Sequence, residues 1–215
     1  MIARPALRAV TSPTPGLLLR WLARWLQCLV LSLVLSLVFG CALPAMAQPS
    51  ALEVRVERSE SEAGHVYQVS AHGEVAAAPA DVWRVLTDYE RMPEFVPDLR
   101  EARVLARNGD QVTVEQFGTA RFLFLRRDIH LVVQVHEQPI AQIDISLVHG
   151  DMRLYTCRWR LVPVPGTGGT RLIYSGTLAP KFYVPGMLGA SMVSIDIKKM
   201  MAAVLERLNR APQAG

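Results

Sequence analysis

The sequence predicts an α+β domain, a curved seven-stranded antiparallel sheet wrapped on a long C-terminal helix. Three observations carry that expectation. Short runs with period-two alternation follow one another at hairpin spacing, which makes their sheet antiparallel. Each run has one apolar and one polar side, as in a sheet covered on a single face. The chain then closes in one long amphipathic stretch, and a helix there has a face to cover.

The elements can be justified in order. "LEVRVE" alternates from Leu52, and "HVYQVSAHGEV" alternates again beyond "RSESEAG", with Val66 to Glu74 the stronger strand of the pair. "AAAPADVWRVLTDY" changes period: Pro79 suits a first helical turn, Asp81 suits the positive helix N-terminus, and Val82, Val85, Leu86 and Tyr89 share a face. Pro93 and Pro97 then forbid a long helix, because each lacks an amide hydrogen and restrains the residue before it. "LTDYERMPEFVPDL" is therefore a bent connector with one helical turn at most. A hairpin about Asn108-Gly109-Asp110 follows in "EARVLARNGDQVTVEQFG", and then "ARFLFL", "RDIHLVVQVHEQP", "IAQIDISLVHGD", "MRLYTCRWRLVPV" and "GTRLIYSGTLAP". "HGDM" from His149 reads as a strand-joining turn. In the closing stretch Val193, Ile197, Met200, Val204 and Leu208 recur at helical spacing, with Pro185 near the start.

Parity sorts the strand residues. Ile129, Leu131, Val133 and Val135 oppose His130, Gln134 and His136; Ile143, Ile145 and Leu147 oppose Gln142, Asp144 and Ser146. Tyr155, Cys157, Trp159 and Leu161 oppose Arg158 and Arg160, and Leu172 and Tyr174 oppose Arg171 and Ile173. The first set in each case faces the helix.

Residues 1–47 differ from the rest. Arg4, Arg8, Arg20 and Arg24 precede an uncharged run from Trp25 that ends at Ala45-Met46-Ala47. That is the pattern of an export signal cut before Gln48, and the run is also long enough for an uncut membrane anchor. "VFGC" at Cys41 offers a lipoprotein site as a third option. All three place the domain in a periplasm or other extracytoplasmic lumen. They leave it free, tethered by a helix or tethered by acyl chains, so membrane contact through the leader belongs to the uncut and lipidated options. The expected organisation is leader 1–47, N-terminal extension 48–64 and a single folded domain 65–211. Four of the 23 basic residues are the leader arginines, which leaves 19 against 19 acidic residues. A neutral domain without a basic patch excludes nucleic acid as the expected partner. Cys157 is the one cysteine after the leader, so the domain has no internal disulfide to lean on.

The chemistry-bearing residues point away from catalysis. The five histidines have no metal-ligand spacing, no serine sits in a nucleophile elbow, and Cys157 lies between Tyr155 and Trp159 as a small buried hydrophobe would. Asp88, Glu90, Glu94 and Asp98 read as solvated acids of a polar connector. No metal or cofactor is expected. The inward side holds Tyr155, Trp159, Tyr174, Phe122 and Phe124, with Met187 and Met192 at the start of the last helix. Apolar aromatics with adaptable methionines suit a cavity for a large apolar molecule.

Helix and connector after the first strand, six further strands and a closing helix make the order of the helix-grip fold. "AAAPADVWRVLTDYERMPEFVPDL", "GDMR", "WRLVP", "TRLIYSGTLAP" and "VPGML" together resemble the SRPBCC superfamily, within it the polyketide cyclase/dehydrase and coenzyme-Q-binding START-domain proteins, over about Val66 to Arg210. The resemblance implies a grip-shaped cavity closed by the connector and the last helix. Tyr89, Phe95 and Pro97 match its connector motif, and Trp159 and Tyr174 its strand positions. The export leader departs from the quinone-binding members. The function expected is binding or carriage of a lipid, isoprenoid quinone or similar hydrophobic molecule. A polyketide cyclase or dehydratase, with Tyr155 or Tyr174 relaying protons to Asp88 or Asp151, and a membrane-tethered interaction module are the alternatives.

Overall fold

Eight strands, not seven, build the sheet, because the N-terminal run pairs along its whole length. The computed structural model describes residues 52–61, 64–122, 125–184 and 186–210. The leader and Phe124 lie outside them, as do the side chains of Phe122 and Met187. Strands β1 (Glu53–Ser61) and β2 (Gly64–Val75) precede helix α1 (Pro79–Leu86) and a 3-10 helix (Tyr89–Glu94). Then come β3 (Leu99–Asn108), β4 (Gln111–Phe122), β5 (Leu125–Gln138), β6 (Gln142–Gly150), β7 (Met152–Pro163), β8 (Thr170–Pro180) and helix α2 (Gly186–Arg210). The sheet order is β1-β2-β8-β7-β6-β5-β4-β3, and every pair is antiparallel.

Two expectations shift at the ends of elements. β1 registers from Glu53 opposite His72 to Ser61 opposite Gly64, so most of the expected extension is an edge strand of the sheet. "ARF" continues β4 rather than starting a strand of its own, since pairing with β5 runs unbroken to Phe122 opposite Leu125. The β6–β7 turn needs Gly150: its φ is +139°, and a Cβ there would lie 2.3 Å from the His130 carbonyl oxygen.

Proline and a hydroxyl bound the short helix. Pro79 occupies its first turn, where a missing amide hydrogen costs nothing, and the Thr87 hydroxyl donates to the Trp83 carbonyl at 2.9 Å beyond its end. Val82 and Leu86 are its buried face.

Helix α2 packs on β1 and β2 from the apolar side. Two glycines set how close it comes. A Cβ on Gly73 of β2 would lie 2.7 Å from Leu205, and one on Gly189 of α2 would lie 2.0 Å from the Tyr67 hydroxyl. From Gly189 to Leu205 the helix advances about 24 Å, and from Tyr67 to Gly73 the strand advances about 20 Å, so α2 runs along β2. Among the described residues no helix is long and apolar enough to cross a membrane.

Candidate functional site

The apolar stripe of α2 is buried unevenly. Met201, Val204 and Leu208 are at most 1% exposed, whereas Val193 and Ile197 are only half-buried. Against the looser half lies a cavity of 140 Å³. Antiparallel pairing gathers its walls at one end of the sheet: Tyr67 from β2, Ala120 from β4, Met152 from β7 and Leu178 from β8. Met192, Val193 and Ile197 cover them from α2, and Pro180, Phe182 and Val184 close the side. A space of about 150 Å³ lined by aliphatic groups holds a molecule the size of benzene.

Two side chains bring oxygen to this wall. Tyr67 is 0% exposed, and its Oη has no hydrogen-bond partner among the described residues. Burial raises its pKa, partly opposed by Arg58 on the paired strand, so the phenol stays protonated and keeps a hydrogen to donate. Asp196, half exposed on α2, is also raised by desolvation; Lys199 opposes this, Asp98 adds to it, and Arg121 opposes it. Arg121 is itself held by Asp98 at 2.7 Å.

The expected ligand residues divide among three places. Met192 lines the cavity. Trp159 and Tyr174 pack edge to face in the core with ring centroids 4.9 Å apart, and they are 7% and 4% exposed. Tyr155 faces Cys157, whose thiol lies 3.9 Å from the Tyr155 hydroxyl. Burial pushes the Cys157 thiol up to about 11. Cys157 and then burial raise Tyr155, while burial and then Cys157 raise Tyr174. This cluster is neutral near pH 7, and neither Asp88 nor Asp151 belongs to it. Asp151 instead accepts the His130 amide at 2.8 Å.

Of the connector residues, Phe95 lies against α2 toward its other end. The Tyr89 hydroxyl donates to Glu137 Oε1 at 2.7 Å, and Arg107 donates to Oε2 at 2.9 Å. Burial, with this hydrogen bond, raises the Tyr89 pKa strongly. The Phe95 ring sits 5.7 Å beneath the Arg207 guanidinium, and Pro97 is exposed. Arg207 is ten residues past Ile197, about 15 Å along the helix, so Phe95 packs far from the described cavity. Of this segment, Asp98 comes close to Asp196. Glu94 pairs with Arg91 at 3.0 Å, which lowers its carboxyl, and with Arg207 at 3.9 Å. The outer face carries His130, stacked on Phe117 and 2.9 Å from Glu115. Among the described residues no histidine, cysteine or acid cluster has the makings of a metal site.

Several wall residues escape a reading by pattern. Tyr67 and Leu178 share the inward parity of Val69 and Tyr174, so alternation alone was signal enough for them. Met152 was not so placed, because a register shift between Met152 and Leu154 turns it to the side of Tyr155.

Comparison with known proteins agrees with this architecture. The family model described as polyketide cyclase / dehydrase and lipid transport matches residues 75–205. Among solved structures, the STAR-related lipid transfer protein of Xanthomonas axonopodis aligns with a TM-score of 0.62 at 17% identity, over 76% of this chain and 96% of its own. A START superfamily protein of Mycobacterium smegmatis aligns at 0.58 and 22% identity, over 66% and 97%. The Zhui aromatase/cyclase of Streptomyces sp. R1128 aligns at 0.57 and 16% identity, over 70% and 98%. At such identities these likenesses show a shared fold. None of the curated proteins matches the chain. The family match spans more than half of the sequence and the sheet grips a C-terminal helix as the SRPBCC fold requires, so the chain belongs to the polyketide cyclase / dehydrase and lipid transport family of that superfamily.

Proposed function

We propose that the chain binds or carries a hydrophobic small molecule, a lipid, isoprenoid quinone or similar compound, between the sheet and the first half of α2. The observation that carries this reading is the 140 Å³ cavity, whose walls are apolar apart from Tyr67 and Asp196. Ligand sites are mainly apolar with a few placed polar groups, and the methionines Met152 and Met192 let the walls adapt. The family's lipid-transport members support the same reading. The leader pattern of residues 1–47 supports work outside the cytoplasm, free or tethered at a membrane. A cyclase reading lacks this support, because the tyrosines proposed as its relay face Cys157 in the core.

Extraction of the purified full chain into organic solvent, followed by mass spectrometry, tests the proposal. An apolar compound recovered near one per chain, and lost on Val193→Trp, is the expected result. A native chain that carries none and takes up neither lipid nor quinone overturns it.

A further inference from the structure

A second pocket adjoins the cavity. It measures 350 Å³ and shares four wall residues with it: Tyr67, Pro180, Phe182 and Val184. The cavity alone is small beside the roughly 300–1,000 Å³ of ordinary ligand sites, and the two spaces together fall within that range. Their chemistry differs. The cavity is apolar apart from Tyr67 and Asp196, whereas the pocket brings Arg153 and Lys181 together with His65. The Arg127 guanidinium lies 4.9 Å over the ring of Phe182, a wall residue of both spaces.

Several polar groups here lack a hydrogen bond or ion pair to strong partners among the described residues. Neither Arg153 nor Lys181 makes an ion pair with any described residue, although most arginines of the domain do. The buried side-chain polar atoms without a hydrogen-bond partner among the described residues are Tyr67 Oη and His65 Nδ1, and both residues line this pocket. The acid nearest His65 is Glu60, 3.6 Å away and 73% exposed at the rim. Gly64, with φ +83°, lets the Arg153 guanidinium lie over the chain: a Cβ there would be 2.8 Å from it. Buried polar atoms in folded proteins are nearly always hydrogen-bonded, so the unbonded Tyr67 hydroxyl and His65 nitrogen, beside two cations with no ion pair among the described residues, mark a place where a ligand supplies the acceptors.

We infer that the ligand is an anionic amphiphile, whose apolar tail occupies the cavity under Val193 and Ile197 and whose carboxylate or phosphate head lies between Arg153 and Lys181 beside Tyr67. The inference rests on the hydrophobic-ligand reading and adds the head group to it. Arginine's planar fork takes two oxygens of such a head, Lys181 supplies a point charge, and the Tyr67 hydroxyl donates where head meets tail.

Calorimetric titration of the full chain with decanoate, 1-decanol and inorganic phosphate tests it. Decanoate is expected to bind about tenfold tighter than 1-decanol, the product of two solvent-exposed ion pairs. That ratio should fall towards one in Arg153→Gln/Lys181→Gln and at high salt. Equal affinity for the alcohol and the carboxylate on the native chain overturns the anionic head and leaves the cavity reading standing. Phosphate binding as tightly as decanoate also overturns it, since the pocket is then a site for a free anion. Binding of neither ten-carbon probe overturns the cavity reading and this inference with it. Should the double variant fail to fold, the native ratio and its salt dependence decide.

Discussion

Removing the Tyr67 hydroxyl should stabilise the ligand-free protein. Tyr67 is fully buried and its Oη bonds to no described residue, so Tyr67→Phe deletes a desolvated polar atom without breaking a hydrogen bond. Leaving such a group unsatisfied costs about 1–3 kcal/mol, and the substitution recovers part of that. We expect a gain of about 1 kcal/mol, or roughly 2–4 °C in Tm for a domain of this size. Urea denaturation of delipidated full chain, followed by tryptophan fluorescence, measures it. The sign is diagnostic, because most core substitutions destabilise. Gly189→Ala tests the same contact from the helix side. Alanine ordinarily stabilises a helix by about 1 kcal/mol over glycine, but overpacking costs about 1–3 kcal/mol, and this Cβ would lie 2.0 Å from Oη. It should destabilise the native chain, and less so in the Tyr67→Phe background, where contacts with the ring at 2.7 and 3.0 Å remain. A loss of about 1 kcal/mol or more on Tyr67→Phe would refute the reasoning, since the hydroxyl would then be hydrogen-bonded in the free protein.

Three other outcomes follow from the same structure. Tyr89→Phe removes a buried hydrogen bond to the Glu137 carboxylate and should cost about 1.5–3 kcal/mol in urea denaturation; no change would mean the connector is held by packing alone. Cys157, with its thiol pushed up to about 11, is about one part in a thousand thiolate at pH 8, so peptide mapping should find it unalkylated by iodoacetamide when folded and alkylated in urea. Asp196 holds its proton more tightly in the folded protein than in the unfolded chain. Its contribution is therefore full below the ordinary aspartate value of 3.8 and is lost as pH rises through the elevated folded value. Asp196→Asn should flatten that part of the stability profile, and an unchanged slope would show that the carboxyl is not desolvated.

Much of the sheet is legible in the chain because parity is a local property. Alternation places Val133, Val135, Trp159 and Tyr174 inward, and all four are buried. The spacing of Val204 and Leu208 likewise finds the face of α2 that meets the sheet. The cavity was harder to read, because it depends on where packing fails rather than on which residues are apolar. Trp159 and Tyr174 are as apolar as the cavity walls, yet they fill their space with each other. Met152 reaches the wall through a register shift, and Gly189 matters through a strand residue 122 positions earlier in the chain, Tyr67. Tyr89 illustrates the opposite case. Its place in the connector suggested a ligand contact, but the tertiary structure supplies Glu137 and Arg107 as its neighbours. The eighth strand shows in "LEVRVE" as the weaker strand of a pair, yet the expected sheet omits it: past Val56, β1 is polar on both sides, so its full pairing with β2 leaves little periodic signal.

Methyl NMR of the full chain labelled at its methionines locates the ligand most directly. Met152 and Met192 line the cavity, while Met201 is buried without exposure farther along α2. On titration with 1-decanol the Met152 and Met192 methyl signals should shift saturably while that of Met201 stays in place. Shifts of equal size at all three, or none at Met152 and Met192, would contradict a binding site between the sheet and the first half of α2.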